Sequence, residues 1–281
     1  MRLHRTLRTA VAVVSAVTLG AAPLLVHTTA TAKTAEAAIQ SITIKVAKKT
    51  INVKGAKGLR SGRVQVDVKG AGAAEIVMFK RGYDAKDLAT DIAATDKGDI
   101  KALKRALKNT TFLGGFEAGG SGTVVLPKAG DYSVFSFASR DTAEFSAGAV
   151  KKAPTPKVDG KIIAKAGPIW AGSSSLPADG TFLFKNKDRT VPHFVILQQV
   201  TEGTTTDQVL EALQSEDPNA PPPPFFLQAG LETASISSGR SMTVDYDLPA
   251  GQYVIMCFFP DPNMGGMPHA LMGMLKMIHL T

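Results

Sequence analysis

One hairpin is written twice in this chain. Leu126–Phe137 reads LPKAGDYSVFSF and Leu248–Phe259 reads LPAGQYVIMCFF, the first with one more residue in its turn. Upstream, GAAEIVMFK (72–80) lines up with TVPHFVILQ (190–198), and a short helical pattern follows each. Gly114-Gly115 and Ala229-Gly230 then precede a Ser/Gly-rich turn and the hairpin. Strand grammar that recurs once, at a period of about 120 residues, predicts two copies of one strand-rich unit rather than a solenoid. Strands with one apolar face must bury it against a second sheet. The predicted fold class is therefore all-β, two tandem β-sandwiches with short helical insertions.

The remaining segments fit that frame. SITIKVAKKTINV (41–53), GRVQVDVKG (62–70) and EIVMFKR (75–81) read as strands, the second by clean alternation of valine with polar residues. Asp84 and Asp99 stand where N-caps belong, ahead of apolar residues at helical spacing: Leu88 and Ile92, then Ile100, Leu103 and Leu107. EFSAGAVKKA (144–153) closes the first unit. Pro, Gly and Ser then mark a connector, in which KIIAKAGPIW supplies a first strand to the next sandwich. This gives a leader over 1–37, a first domain over 38–153, a linker with first strand over 154–179 and a second domain over 180–281. Twenty-six glycines and 16 prolines suit so many turns. DPNAPPPPFFLQAG (217–230) reads as an extended surface loop.

Arg2, Arg5 and Arg8 precede a 17-residue apolar run, Ala10–Val26, and small residues follow at Ala30-Thr31-Ala32 and Ala35-Glu36-Ala37. That is the layout of a secretory signal, so the predicted location is extracytoplasmic; if retained, the run approaches the length of a membrane anchor. The full chain carries a net charge of +8; four cations and one anion lie within 1–37, which leaves a mild +5. The lysine cluster KKAPTPK (151–157) has no aromatic platform beside it and reads as a solvated linker, so no nucleic-acid partner is expected. Neither a phosphate-binding GxxxxGK[ST] loop nor an HExxH zinc motif occurs, and no nucleophile elbow is present.

Cys257 is the sole cysteine. In an exported chain it cannot form an internal disulfide, so it is a buried apolar residue, an intermolecular thiol or a metal ligand. It ends the apolar run GQYVIMCFF; after eleven intervening residues comes His269, then Met272 and Met274. His193 opens the run HFVILQQV at a strand start. A thiolate with imidazoles and a weak thioether suits copper in a trigonal electron-transfer site. His4 and His27 fall in the leader, and His279 reads as a surface or satisfied core residue. Trp170, the sole tryptophan, reads as a packing anchor. Met256, Met264, Met267 and Met277 are either adaptable filler or a soft Cu(I) reservoir.

The order of histidine, long gap, then Cys–His–Met on one loop resembles the cupredoxins, the blue copper Greek-key sandwiches. CFFPD…GMPHALMGM is similar to a secreted bacterial subgroup with a long loop from cysteine to histidine. The resemblance covers about Gly180 to Thr281, and departs from plastocyanin-like members in the length of that loop. It implies one copper ion held by His193, Cys257 and His269 with Met274 axial, Met272 being the alternative. It also implies that the outer ring nitrogen of His269 lies near the surface as an electron exit. In the repeat, Glu75 stands where His193 stands and Ser136 where Cys257 stands, and residues 28–192 contain no histidine. The first unit thus reads as a metal-free copy. The expected function is electron transfer with an unknown redox or copper-transfer partner and no enzymatic turnover. Copper scavenging or delivery through the methionines, and a metal-free interaction module, are the alternatives.

Overall fold

The computed structural model describes residues 39–136, 141–215 and 223–281. The expected leader, with His4 and His27, lies outside the described residues, as does part of the proline-rich loop. The first half contains β1 (Gln40–Ala47), β2 (Thr50–Lys54), β3 (Arg60–Gly70), β4 (Ala74–Phe79), β5 (Thr110–Phe116), β6 (Ser121–Leu126), β7 (Gly130–Phe135) and β8 (Thr142–Lys151). Helices α1 (Ala85–Thr95) and α2 (Ile100–Asn109) intervene between β4 and β5. The second half contains β9 (Gly160–Lys165), β10 (Ile169–Gly172), β11 (Ser175–Leu176), β12 (Asp179–Asn186) and β13 (Ile196–Val200). After α3 (Thr206–Gln214) come β14 (Phe226–Glu232), β15 (Ser241–Asp247), β16 (Gly251–Met256), β17 (Pro260–Asp261), β18 (Met267–Pro268) and β19 (Leu275–Leu280).

The pairing in the second half follows that in the first. Parallel β1–β3 and antiparallel β3–β6 have counterparts in β9–β12 and β12–β15. β4 lies between β5 and β7, as β13 lies between β14 and β16. β8 closes the first set on β7, and β19 the second on β16. In both halves a tyrosine hydroxyl in the repeated hairpin donates to the carbonyl four residues back: Tyr132 to Lys128, and Tyr253 to Pro249 at 2.7 Å. Inward faces of the layers meet in one apolar cluster that runs through both halves, from Ile42 and Val66 to Phe184 and Ile255.

Ile76 to Phe79 of β4 and Tyr253 to Met256 of β16 are apolar without alternation because both faces of these strands are covered. Val77 and Phe135 pack outward against Leu88 and Ala106 of the helix pair. Val254 and Met256 pack outward against Val209 of α3. The predicted caps are present: Asp84 accepts from the amides of Lys86 and Asp87, and Asp99 from those of Lys101 and Ala102. Register changes one equivalence read from the sequence. Glu75 pairs with Phe135, and the residue that pairs with Met256, the counterpart of Phe135, is Ile196. Glu75 therefore matches Ile196, three positions beyond His193.

Two seams join the halves. In one, β15 pairs with β6 at Asp245 and Ser121, and the hydroxyls of Thr123 and Thr243 share a buried hydrogen bond of 2.8 Å. In the other, residues 233–237 lie between the two halves. Ala234 donates to the Gly115 carbonyl at 3.1 Å and Ser237 to that of Phe112 at 2.9 Å. Gly122 lies in the first seam with φ +151°, and a Cβ there would stand 2.0 Å from the Thr243 carbonyl oxygen. Gly119, at φ +92°, has nothing within 4 Å of such a Cβ. Gly122→Ala is expected to cost ~2 kcal/mol or more in chemical denaturation, and Gly119→Ala ~1 kcal/mol. Equal losses would mean that the seam is not tightly packed at this point.

Candidate metal centre

Strand period places the thiol. Tyr253, Ile255 and Cys257 point into the core between the layers, while Val254 and Met256 point toward α3. Cys257 follows the last residue of β16 and is completely buried. The strand expected to open at His193 begins at Ile196. His193 instead sits in an isolated bridge: its amide donates to the Ile236 carbonyl at 3.2 Å, and the Ile236 amide returns a bond to its carbonyl at 2.8 Å. Ile236 is itself bridged to Leu113 of β5, so the first half braces the backbone that carries this histidine.

The long loop after Cys257 does not separate the two ligand-type residues. It folds back as the small hairpin β17–β18, with Pro260 opposite Pro268 and Asp261 opposite Met267. The His269 amide then donates to the Phe259 carbonyl at 3.1 Å, and the Ala270 amide to that of Cys257 at 2.7 Å. His269 thereby returns beside Cys257 at the start of a 3₁₀ turn, His269–Met272.

Both imidazoles present Nδ1 to the thiol, each 3.7 Å from Cys257 Sγ. The ring centroids are 4.6 Å apart with the planes at 37°. One donor atom from each of the three residues lies within 4.8 Å of the others, and this is the sole such cluster among the described residues. Burial, then the charge of His269, pushes His193 down to about 4. Burial also lowers His269 and pushes the Cys257 thiol up to about 12. The imidazoles are therefore in the neutral form a metal needs, and ligation would displace the thiol proton. Donors at ~2.0 Å (nitrogen) and ~2.3 Å (sulfur) that subtend a trigonal angle at one ion lie ~3.7 Å apart. Both Sγ–Nδ1 distances match that value.

The cluster fits a type 1 copper site. Around this copper-type cluster, Met274 is fully buried in the same apolar cluster as Cys257, whereas Met272 is half-buried on the 3₁₀ turn. Trp170 packs beside the site, its indole donating to the Met274 carbonyl at 3.0 Å and its ring 6.3 Å from that of His193. His279 lies apart, exposed, with Nε2 3.0 Å from Glu202. The expectation of an imidazole edge near the surface is not met. His269 is 1 % exposed, and its Nε2 faces Asp261 at 3.8 Å. The hairpin that brings His269 back to the cysteine also supplies that carboxylate.

Two residues had no assigned role in the sequence reading. Asp261 is within the CFFPD motif, and Asp188 lies five residues before His193, its Oδ2 3.3 Å from His193 Nε2. Burial alone would raise Asp188; hydrogen bonds from Thr190 and His193 outweigh it and hold the carboxyl low. Aspartate in a turn is so common that neither position stands out in sequence.

No family model matches the chain, and no curated protein matches it. Among solved structures it is similar to auracyanin B, at 24% identity over 43% of this chain and 88% of that one, TM-score 0.26. It is also similar to auracyanin A, a "blue" copper protein from Chloroflexus aurantiacus, at 15% identity over 43% of this chain and 96% of that one, TM-score 0.26. A multicopper oxidase from Pediococcus acidilactici matches 86% of this chain and 59% of its own length at 10% identity, TM-score 0.25. Likenesses this distant assign no function, and the donor geometry stands on its own.

Proposed function

We propose that this chain is an extracytoplasmic copper protein that carries single electrons. His193, Cys257 and His269 would hold one copper ion, with the Met274 thioether as a fourth, weaker donor. The observation that carries this reading is the pair of equal 3.7 Å distances from one buried sulfur to two Nδ1 atoms. Copper so bound supplies one-electron exchange between Cu(II) and Cu(I). The protein's part is to keep the donors fixed and dry. Backbone hydrogen bonds lock Cys257 to Ala270 and His193 to Ile236, so neither donor has freedom to follow a change in metal charge. The expected secretory leader agrees with such a role outside the cytoplasm. The first half, with no histidine or cysteine among its described residues, would be a duplicated sandwich retained as a brace for the His193 segment.

The test is reconstitution of purified protein with Cu(II). One equivalent per chain and an intense visible thiolate-to-copper band are expected. Met274→Leu should keep the band and shift the potential and the band ratio, while Met272→Leu should behave as wild type. The reverse pattern would make Met272 the fourth donor. Copper handling is a second reading, favoured by Met264 and Met267, which are 53% and 45% exposed on the loop next to the cluster. Tight Cu(I) binding without the visible band, lost in a Met264/Met267/Met272 triple variant, would support it.

A further inference from the structure

The loop ahead of His193 is built around one buried carboxylate. Asp188 is 3% exposed, and no lysine or arginine lies within ion-pair distance of it among the described residues. Its Oδ1 accepts from the Thr190 amide at 2.8 Å and from the Thr190 hydroxyl at 2.5 Å. Its own amide donates to Asn186 Oδ1 at 2.9 Å. Asn186 is fully buried and spends both amide protons on the carbonyls of Val191 and Ile236, at 2.9 and 3.0 Å. One oxygen of Asp188 is thus anchored by its own turn, and the other is aimed at His193 Nε2 at 3.3 Å. A buried anion without a cation is costly unless hydrogen bonds hold it, and here they are concentrated on the oxygen that does not face the ring.

We propose that Asp188 is a positioning residue that fixes the tautomer of His193 and sets the redox preference of the copper centre proposed above. An imidazole whose Nε2–H donates to a carboxylate carries its lone pair on Nδ1, the atom that faces Cys257. The choice is made before any metal arrives. The same contact places negative charge behind the ring and makes the imidazole a stronger donor, as in carboxylate–histidine–metal triads. A stronger, more anionic donor favours the more highly charged Cu(II) over Cu(I). Asp261 is 3.8 Å from His269 Nε2, too far for a hydrogen bond, and acts there only as a nearby charge. The two imidazoles are therefore unequally backed, with the stronger support on His193.

The inference rests on the copper reading, and its test separates the two. Wild type, Asp188→Asn and Asp261→Asn are loaded with copper, and the reduction potential and the Cu(II) and Cu(I) affinities are measured by redox titration and chelator competition. Asp188→Asn keeps the size and an acceptor oxygen and removes the charge. It should weaken Cu(II) binding ~10–100-fold relative to Cu(I), the usual cost of losing such a partner. At 59 mV per tenfold for one electron, that raises the potential by ~60–120 mV. Asp261→Asn should move it less. In metal-free wild type, ¹⁵N spectra of the histidines should show His193 protonated on Nε2. A wild-type potential in Asp188→Asn, or a metal-free His193 protonated on Nδ1, overturns the proposal, and the second readout holds even if the variant does not fold. Wild type that takes up no copper sinks the copper reading instead, and the tautomer still decides whether Asp188 positions the ring.

Discussion

Cys257→Ser is expected to give a folded, colourless protein that no longer retains one copper per chain. The substitution removes little volume at a site with no solvent exposure. The backbone there is held independently of the side chain, because the Cys257 carbonyl accepts from the Ala270 amide at 2.7 Å. A serine hydroxyl can also donate to either Nδ1, so its burial costs on the order of 1 kcal/mol in stability. The chemistry is another matter. The strong visible band of a type 1 site comes from the thiolate, and a serine hydroxyl neither ionises near neutral pH nor matches the softness of Cu(I). Loss of colour should be complete, with circular dichroism unchanged. A blue Cys257→Ser protein would show that the sulfur is not a ligand, however well the three donors are arranged.

Those three donors were legible in the sequence because each is of a rare type here and each falls at a strand end or in a Pro/Gly-marked loop. The strands were legible for a simpler reason. β3 alternates Val64, Val66 and Val68 with polar residues, and a period of two admits little else. The seams between the halves were not. Thr123 and Thr243 alternate with the core residues Val124 and Val244, on the face a half-exposed strand would turn to water, yet both are buried against each other. Polar residues in a strand do not say whether they face water or another polar strand. The enclosure of His269 was hidden for a related reason. Its surroundings depend on how eleven residues fold back, and the β17–β18 hairpin has no more sequence signal than three prolines and a Gly-Gly turn. The match of Glu75 to His193 failed by three residues because aligning apolar runs does not fix register; pairing across the sheet does.

Glu75, although not the counterpart of a ligand, should dominate a pH dependence of its own. It is 7% exposed, and burial pushes its carboxyl up to about 7, an amide hydrogen bond from Ser235 at 3.2 Å offsetting only part of that. Glu232 across the seam is also pushed up to about 7, by burial first and then by the negative charges of Glu117 and Glu75. The folded state therefore favours the protonated acids. The stability each contributes is present in full below about 4.5, the ordinary value, and falls away as pH rises to about 7. For Glu75 a shift of this size corresponds to on the order of 3 kcal/mol. His193, pushed down to about 4, slopes the other way: its stabilisation is present above its ordinary 6.5 and is lost as pH falls toward 4. The wild-type profile of metal-free protein therefore mixes opposed trends, and the informative quantity is the difference between Glu75→Gln and wild type. Glutamine keeps an acceptor for the Ser235 amide and cannot ionise. Denaturant unfolding of the metal-free proteins should find the two alike near pH 4, with the variant progressively the more stable up to pH 8, by as much as ~3 kcal/mol. A constant difference across that range would mean that Glu75 titrates as an ordinary exposed carboxylate, and that the second seam is open to water in solution.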